Sequence, residues 1–431
     1  MNINAERIIR DWEVLCKKIG ERRAGSKGET MAARFILKSM EDAGLDNCRI
    51  WEFPVISLVK GVSTVQIRQK GRWNSVESRV FVNSPCTPGC RHIEGELAWL
   101  EMPEQEHQLR KNSLAGKILV YFGPLPRDFK VYQKMIAANP AVIIHIDDRL
   151  PHSWTKDDCV YPYWAKKSGT PPAVSVPYMD AYNWRLNGAK RARVMVNSRH
   201  EERQSTNVIG EIIGGAPKAG TIVVSCHHDT QCGNVGADDN GSGVVSILEM
   251  VRHMSKMRFA HSIRFISFGT EEQLSVGSMK YVLHNKKDLK NIKLIYNIDS
   301  ASSALGHFNL FYAGSPAFGK GIADILRRNE IAVRLNGGIM PFADHFAFTV
   351  FGIPAVWLGR SANEGGRWFH HSRYDNLDVV SVGNVVSVIR ASVKTIKALD
   401  RKPAGFFSAI PQEILKTTRK YARDMFGVIA K

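Results

Sequence analysis

The sequence predicts an α/β fold, a sheet of parallel strands with helices on both faces. Three observations predict it. From about residue 207 to 398, apolar strand-like runs alternate with helical patterns. Successive strands end in acid or histidine, and open α/β sheets place ligands at that edge. From about 62 to 196 the alternation gives way to short strands divided by turn signals, which reads as a small inserted β-rich domain.

Taken in order, Ile8, Ile9, Trp12, Leu15 and Ile19 recur at helical spacing. A second helix is expected from Glu29 to Ala43, with Met31, Phe35, Ile36 and Met40 on one face and Gly44 as its stop. Ile50 to Val59 reads as a strand. In the inserted region, strands are expected at 117–122, 141–146, 172–176 and 192–196, with a helix from Asp128 to Ala138 capped by Asp128. His152 to Thr170 reads as a long polar and aromatic loop. Strand structure resumes at 207–213. Further strands are expected at 221–226, 262–268, 292–298 and 354–358, and helices at 241–255, 276–285, 316–328 and 381–398. The division is 1–60, 61–198 and 199–400, followed by a basic helical tail, 401–431, with seven Lys/Arg against two Asp/Glu.

With 44% hydrophobic and 23% charged residues, the 431-residue chain falls in the globular range and is long enough for two domains. No apolar run spans a bilayer and the first residues lack signal-peptide character, so a cytoplasmic location is expected. Seven scattered cysteines fit a reducing compartment better than a disulfide framework, and Cys86 and Cys90 read as structural. The net charge of +18 is distributed, with no RNP, zinc-finger or basic-zipper pattern. It therefore reads as solvated surface, and no nucleic-acid partner is expected.

The stretch 225–243 carries His227, His228, Asp229, Asp238 and Asp239 among glycines, between a strand and a helix. Later strand ends bring Glu271-Glu272 and Asp299, and a loop brings His370-His371. Singly, each has a plainer role: Asp299 can cap a helix, Glu271-Glu272 likewise, and the histidines can sit on the surface. Together, at successive strand ends, they form a donor set suited to hydrolytic zinc with open coordination positions. A bridging carboxylate can hold two metals about 3.5–4 Å apart, and a carboxylate off the metals must carry the proton. His228 reads as structural and Asp238 as a loop hydrogen-bonding group. Cys226 and Cys232 lie close by, but thiolates suit a structural zinc better.

These residues resemble the co-catalytic zinc aminopeptidases of family M28. The matching pieces are Cys226-His227-His228-Asp229, Gly236 to Gly243, Glu271-Glu272 with Gly277-Ser278, Asn297-Ile298-Asp299, Asp344-His345 with Pro354, and His371 with Asp375. Arg23 to Ser26 resembles the family's entry segment, and Lys117 to Ile146 a protease-associated (PA) domain. The resemblance implies a twisted mixed sheet with a parallel centre. It implies two Zn²⁺ (Co²⁺ or Mn²⁺ also fit), His227 and Asp299 on one, Glu272 and His371 on the other, with Asp239 bridging. It implies Glu271 as general base and Asp229 as the group orienting His227. His370 stands where some members place a tyrosine for the oxyanion, and Gln273-Leu274-Ser275-Val276 departs from the usual Gly-Leu pair. The expected function is removal of N-terminal residues from peptides, with homo-oligomerisation open. A carboxypeptidase or glutaminyl-cyclase-like enzyme is the alternative, with Arg360 and Arg367 as candidate carboxylate binders. A non-catalytic binding protein is the third reading.

Overall fold

Strand order places the chemistry before any side chain is considered. The computed structural model describes residues 3–102, 107–126, 128–216, 218–361, 368–407 and 409–429. The chain forms two compact units, Met1–Val55 with Arg203–Arg423 and Ile429–Lys431, and Ile56–Glu202 with Asp424–Val428.

In chain order the elements begin with α1 (Ala5–Glu13), α2 (Lys27–Asp42), β1 (Asp46–Gln69), β2 (Arg72–Val76), β3 (Arg79–Val80), β4 (Ile93–Leu100) and β5 (Ile118–Phe122). There follow α3 (Phe129–Ala137), β6 (Val142–Ile146), α4 (Pro162–Ser168), β7 (Ala173–Val176), α5 (Tyr178–Leu186), β8 (Arg191–Ile212) and β9 (Thr221–His227). Next come α6 (Gly243–Met254), β10 (Ser262–Phe268), α7 (Val276–His284), β11 (Ile292–Ile298), β12 (His307–Ala313) and α8 (Pro316–Arg328). The chain closes with β13 (Val333–Gly337), α9 (His345–Val350), β14 (Ala355–Ser361), α10 (Val382–Leu399) and α11 (Gln412–Phe426).

In the first unit the sheet order is β13-β12-β14-β11-β9-β10-β8. The centre, β14-β11-β9-β10, is parallel, while β8 and β12 run antiparallel to their inner neighbours. So the sheet is mixed with a parallel centre. The central strands are buried on both faces, as parallel strands covered by helices must be. Val224, Cys226, Phe265 and Tyr296 join the core with α1, α2, α6, α8 and α10. Phe268, one residue out of phase with Phe265, packs on Tyr281 of α7 and Phe348 of α9 on the other face. Helix α2 starts at Ser26, whose Oγ accepts from Glu29 N at 3.2 Å.

In the second unit β4, β5, β6 and β7 are parallel neighbours, flanked antiparallel by β8 and β3, over an apolar core that includes Ile118, Val120, Ile144 and Val194. Two expectations need correction. The runs 192–196 and 207–213 belong to one strand, β8, because the polar residues between them stay extended. The stretch 152–170 contains α4, begun by Pro162 and anchored by buried Trp164, which packs on Tyr132 and Tyr161. Beyond the expected elements, β12, β13 and α9 also form. Among the described residues, no helix is long and apolar enough to cross a membrane.

Candidate metal centre

Strand β9 is where the sheet order reverses, with β10 on one side and β11 on the other. A crevice opens at the carboxyl end of such a switch-point strand. His227 is the last residue of β9 and stands in register with Phe268, the last of β10. Glu271 and Glu272 follow β10, and Asp299 follows β11, so parallel pairing brings all three strand ends to one edge. Asp239 arrives from the turn Ala237–Ser242 that leads into α6, and its peptide to Asn240 is cis. Gly236, at φ +50°, lets that turn fold back: a Cβ there would lie 2.1 Å from Asp239 O.

His227 Nε2 lies 3.2 Å from Asp239 Oδ1, 3.8 Å from Asp299 Oδ1 and 3.9 Å from Glu271 Oε2. On the other side of Asp239, Oδ2 is 3.0 Å from His370 Nε2 and 3.6 Å from His371 Nε2. His371 Nε2 also lies 2.9 Å from Glu272 Oε2, and the two imidazoles stack at 3.5 Å. Two groups therefore have ligand atoms within 4.8 Å of one another, His227-Asp239-Asp299 and Asp239-His370-His371, with Asp239 in both. All eight residues named from the sequence gather here. His370, expected as an oxyanion donor, also comes within the range of the ligand atoms.

The supporting contacts are specific. Asp229 accepts from Glu271 N at 3.0 Å and Glu272 N at 3.2 Å, which ties the β9 loop to the β10 loop. Its Oδ1 is 3.4 Å from His227 Nδ1. Sequence reasoning assigned no role to four further groups. Asp375 accepts from the N–H groups of Asp238 and Asp239, at 2.7 and 3.0 Å. Trp357 donates to Asp299 Oδ2 at 3.0 Å. Gln231 donates to Glu272 Oε2 at 3.2 Å, and Ser275 Oγ to Glu271 Oε1 at 3.1 Å. Ser275 and Leu274 both have positive φ, so the segment after the glutamates turns back onto Glu271. Asp375 alone carried a sequence signal, four residues after His371. His228, read as structural, is buried with Nδ1 3.1 Å from Ser267 Oγ, and Asp238 accepts from Ser302 N at 2.9 Å.

Electrostatics show what the cluster lacks. Burial pushes Glu271 well above the usual carboxylate range, and Asp344, Glu272 and Asp299 push it further. Burial does the same to Glu272, reinforced by Asp239. Burial opposes charge on His227, but Asp229, Asp239 and Asp299 outweigh it and raise its pKa. His227 Nε2 is buried without a hydrogen-bond partner among the described residues. Acids packed together around an unsatisfied imidazole nitrogen call for a cation. Their oxygen and nitrogen donors fit zinc.

Arg360, the candidate carboxylate binder, is partly engaged within the chain. Its Nε donates to Ser303 O at 2.7 Å and its guanidinium lies 4.7 Å from the Phe308 ring centroid. Arg367 lies outside the described residues.

Residues 207–396 match Peptidase family M28. The chain is 24% identical to aminopeptidase YwaD of Bacillus subtilis (strain 168), over 96% of this chain and 87% of that protein. It is 22% identical to carboxypeptidase Q of Xenopus laevis, over 84% of this chain and 79% of that one. Among solved structures, a peptidase M28 precursor from Shewanella amazonensis SB2B superposes with a TM-score of 0.76 at 16% identity, covering 92% of this chain and 96% of that one. BSAP, a zinc aminopeptidase from Bacillus subtilis, superposes with a TM-score of 0.73 at 21% identity, covering 96% and 99%. These superpositions carry the mixed α/β fold.

Proposed function

We infer that this chain, which carries a peptidase family M28 domain over residues 207–396, is a metal-dependent exopeptidase of the aminopeptidase kind. The observation that carries this reading is the pair of histidine–carboxylate groups sharing Asp239 at the switch-point edge. Zinc is the proposed metal, in keeping with the zinc aminopeptidase among the similar structures, and Co²⁺ or Mn²⁺ suits the same donors. His227 and Asp299 would hold one ion, Glu272 and His371 a second, and Asp239 both. When bound, such ions supply an activated water, its pKa brought to about 7, and polarise the scissile carbonyl.

The chain's own groups do the rest. Ser275 occupies Glu271 Oε1, which leaves Oε2, the oxygen facing His227, to take a proton from water and return it to the leaving amine. Asp229 holds the backbone of both glutamates and orients His227. His370 is proposed as the hydrogen-bond donor to the carbonyl oxygen as charge develops there. The unit 56–202 is proposed as a PA-type insert, since the chain leaves the first unit after Val55 and returns at Arg203.

Carboxypeptidase activity is the competing reading, because the similarity to carboxypeptidase Q spans most of the chain. The test is a panel of aminoacyl chromogenic substrates beside N-acetylated peptides, run on zinc-loaded protein. Hydrolysis of the free-amine substrates alone is expected. Hydrolysis of only the blocked peptides overturns the aminopeptidase assignment.

A further inference from the structure

His227 and Asp239 are separated by residues 228–238, an excursion that leaves β9 and runs into the turn before α6. Its two ends are held by one side chain from far earlier in the chain. Arg22 is completely buried. Its Nε donates to His228 O at 2.7 Å, next to His227. Its Nη1 donates to Val235 O at 2.7 Å and its Nη2 to Gly236 O at 3.1 Å, shortly before Asp239. Nη1 also reaches Gly20 O at 3.1 Å. The Arg22 backbone N–H donates to Thr230 Oγ1 at 3.0 Å, within the same excursion.

A second tie lies beside it. Trp12 Nε1 donates to Ala237 O at 2.8 Å. The indole approaches so closely that a Cβ on Gly241 would lie 2.9 Å from Trp12 Nε1. Among the described residues, no carboxylate forms an ion pair with Arg22. Burying a guanidinium is costly, and burial lowers its pKa although Cys16, Asp375 and Asp229 act the other way. Packing alone is better served by an apolar side chain. What arginine adds is a planar fork of fixed geometry, able to hold two separated carbonyls at once.

We propose that Arg22, with Trp12 as a second tie, is a positioning residue that fixes the spacing of His227 and Asp239, so that a metal meets both in place. This rests on the metal reading above. The test titrates Zn²⁺ calorimetrically into metal-free full-length wild type, R22K and W12F, and records the visible spectrum of each with Co²⁺.

Lysine keeps the charge but cannot span both ends of the excursion. R22K should bind zinc about 10–100-fold more weakly, the range typical of lost outer-sphere support, with an altered Co²⁺ spectrum and an unchanged far-ultraviolet dichroism. W12F should weaken binding by a smaller factor, about threefold on the same scale. The rise in Tm on adding zinc should shrink in R22K, because that rise tracks metal affinity. An arginine that only packs would lower both Tm values alike and leave affinity intact. If wild type itself binds no zinc, the metal reading fails. If wild type binds and R22K matches it in affinity and spectrum, the Arg22 proposal is overturned. Should R22K not fold, W12F decides by the same measurements.

Discussion

Two sets of buried acids in the first unit meet opposite fates. Glu249, on α6, has a fully buried side chain. It accepts from Arg7 Nε and Nη2 at 2.9 and 2.8 Å and from Asn4 N at 3.1 Å, with Arg252 and His253 within 3.5 and 3.2 Å. Burial works against its charge, but Arg7 and Asn4 prevail and its pKa falls. Glu271 and Glu272 are nearly as buried, yet their neighbours include Asp239, Asp299 and Asp344, and their pKa values rise. A buried acid with cationic side chains around it is complete within the chain. A buried acid among acids must keep its proton or take a cation from outside. The contrast separates a structural ion pair from a candidate metal site by chemistry alone.

The contrast breaks most sharply at Glu271. E271Q removes the proposed proton carrier and keeps the shape and the hydrogen bond from Ser275 to one side-chain oxygen. Metal content by mass spectrometry should stay at the wild-type level while kcat/KM falls about a thousandfold. A variant with wild-type turnover would mean that Glu271 is not the base. D239N comes next. Because Asp239 belongs to both candidate ligand groups, on the two-metal reading its loss should weaken both metals together, beyond the about 10–100-fold expected for an outer partner. Loss of one metal with the other intact contradicts a bridging role.

E249Q probes the other side of the comparison. It leaves Arg7 and Arg252 facing a neutral amide. Both arginines keep partial access to water, at 35% and 18% side-chain exposure, so the cost sits below that of a fully buried pair, about 2 kcal/mol in urea unfolding. Zinc affinity should not change. A shift in affinity without a loss of stability would erase the distinction between the two acid sets.

The readable part of the molecule was the part where chemistry is dense. The central strands β9, β10, β11 and β14 show in the sequence because each is mostly apolar and runs into a polar loop. Strand β12 does not, because His307-Phe-Asn-Leu-Phe-Tyr-Ala313 mixes polar and aromatic residues without clean alternation, and α9 is only six residues long. The site's acids and histidines were legible because their types are unusual at successive strand ends. Their supports were not. Arg22 and Trp357 lie far along the chain from the residues they hold, and nothing in an arginine or a tryptophan marks it as a tether before folding. Ser275 and Gln231 act through hydrogen bonds set by local backbone turns.

The smallest effect is a slope. Without metal, Glu271, Glu272 and His227 hold protons more tightly than in the unfolded chain. A group whose folded pKa is raised contributes stability below its unfolded value, 4.5 for Glu or 6.5 for His, and loses it as pH rises through the folded value. Histidines buried in the neutral form act in the opposite sense. His228 and His345, lowered by burial to about 4 and about 3, contribute stability above 6.5 and lose it on acidification. The two trends collide between about pH 4.5 and 6.5 and separate at higher pH, where those histidines are neutral in both states. As pH rises above 6.5 the Tm of metal-free protein should therefore fall, by calorimetry, while zinc-loaded protein stays flat because the bound cation satisfies the charged ligands. E271Q should lessen the metal-free slope and E249Q should leave it alone, since Glu249 is already ionised throughout that range. Equal slopes with and without zinc would show that the acids at this edge do not depend on a cation.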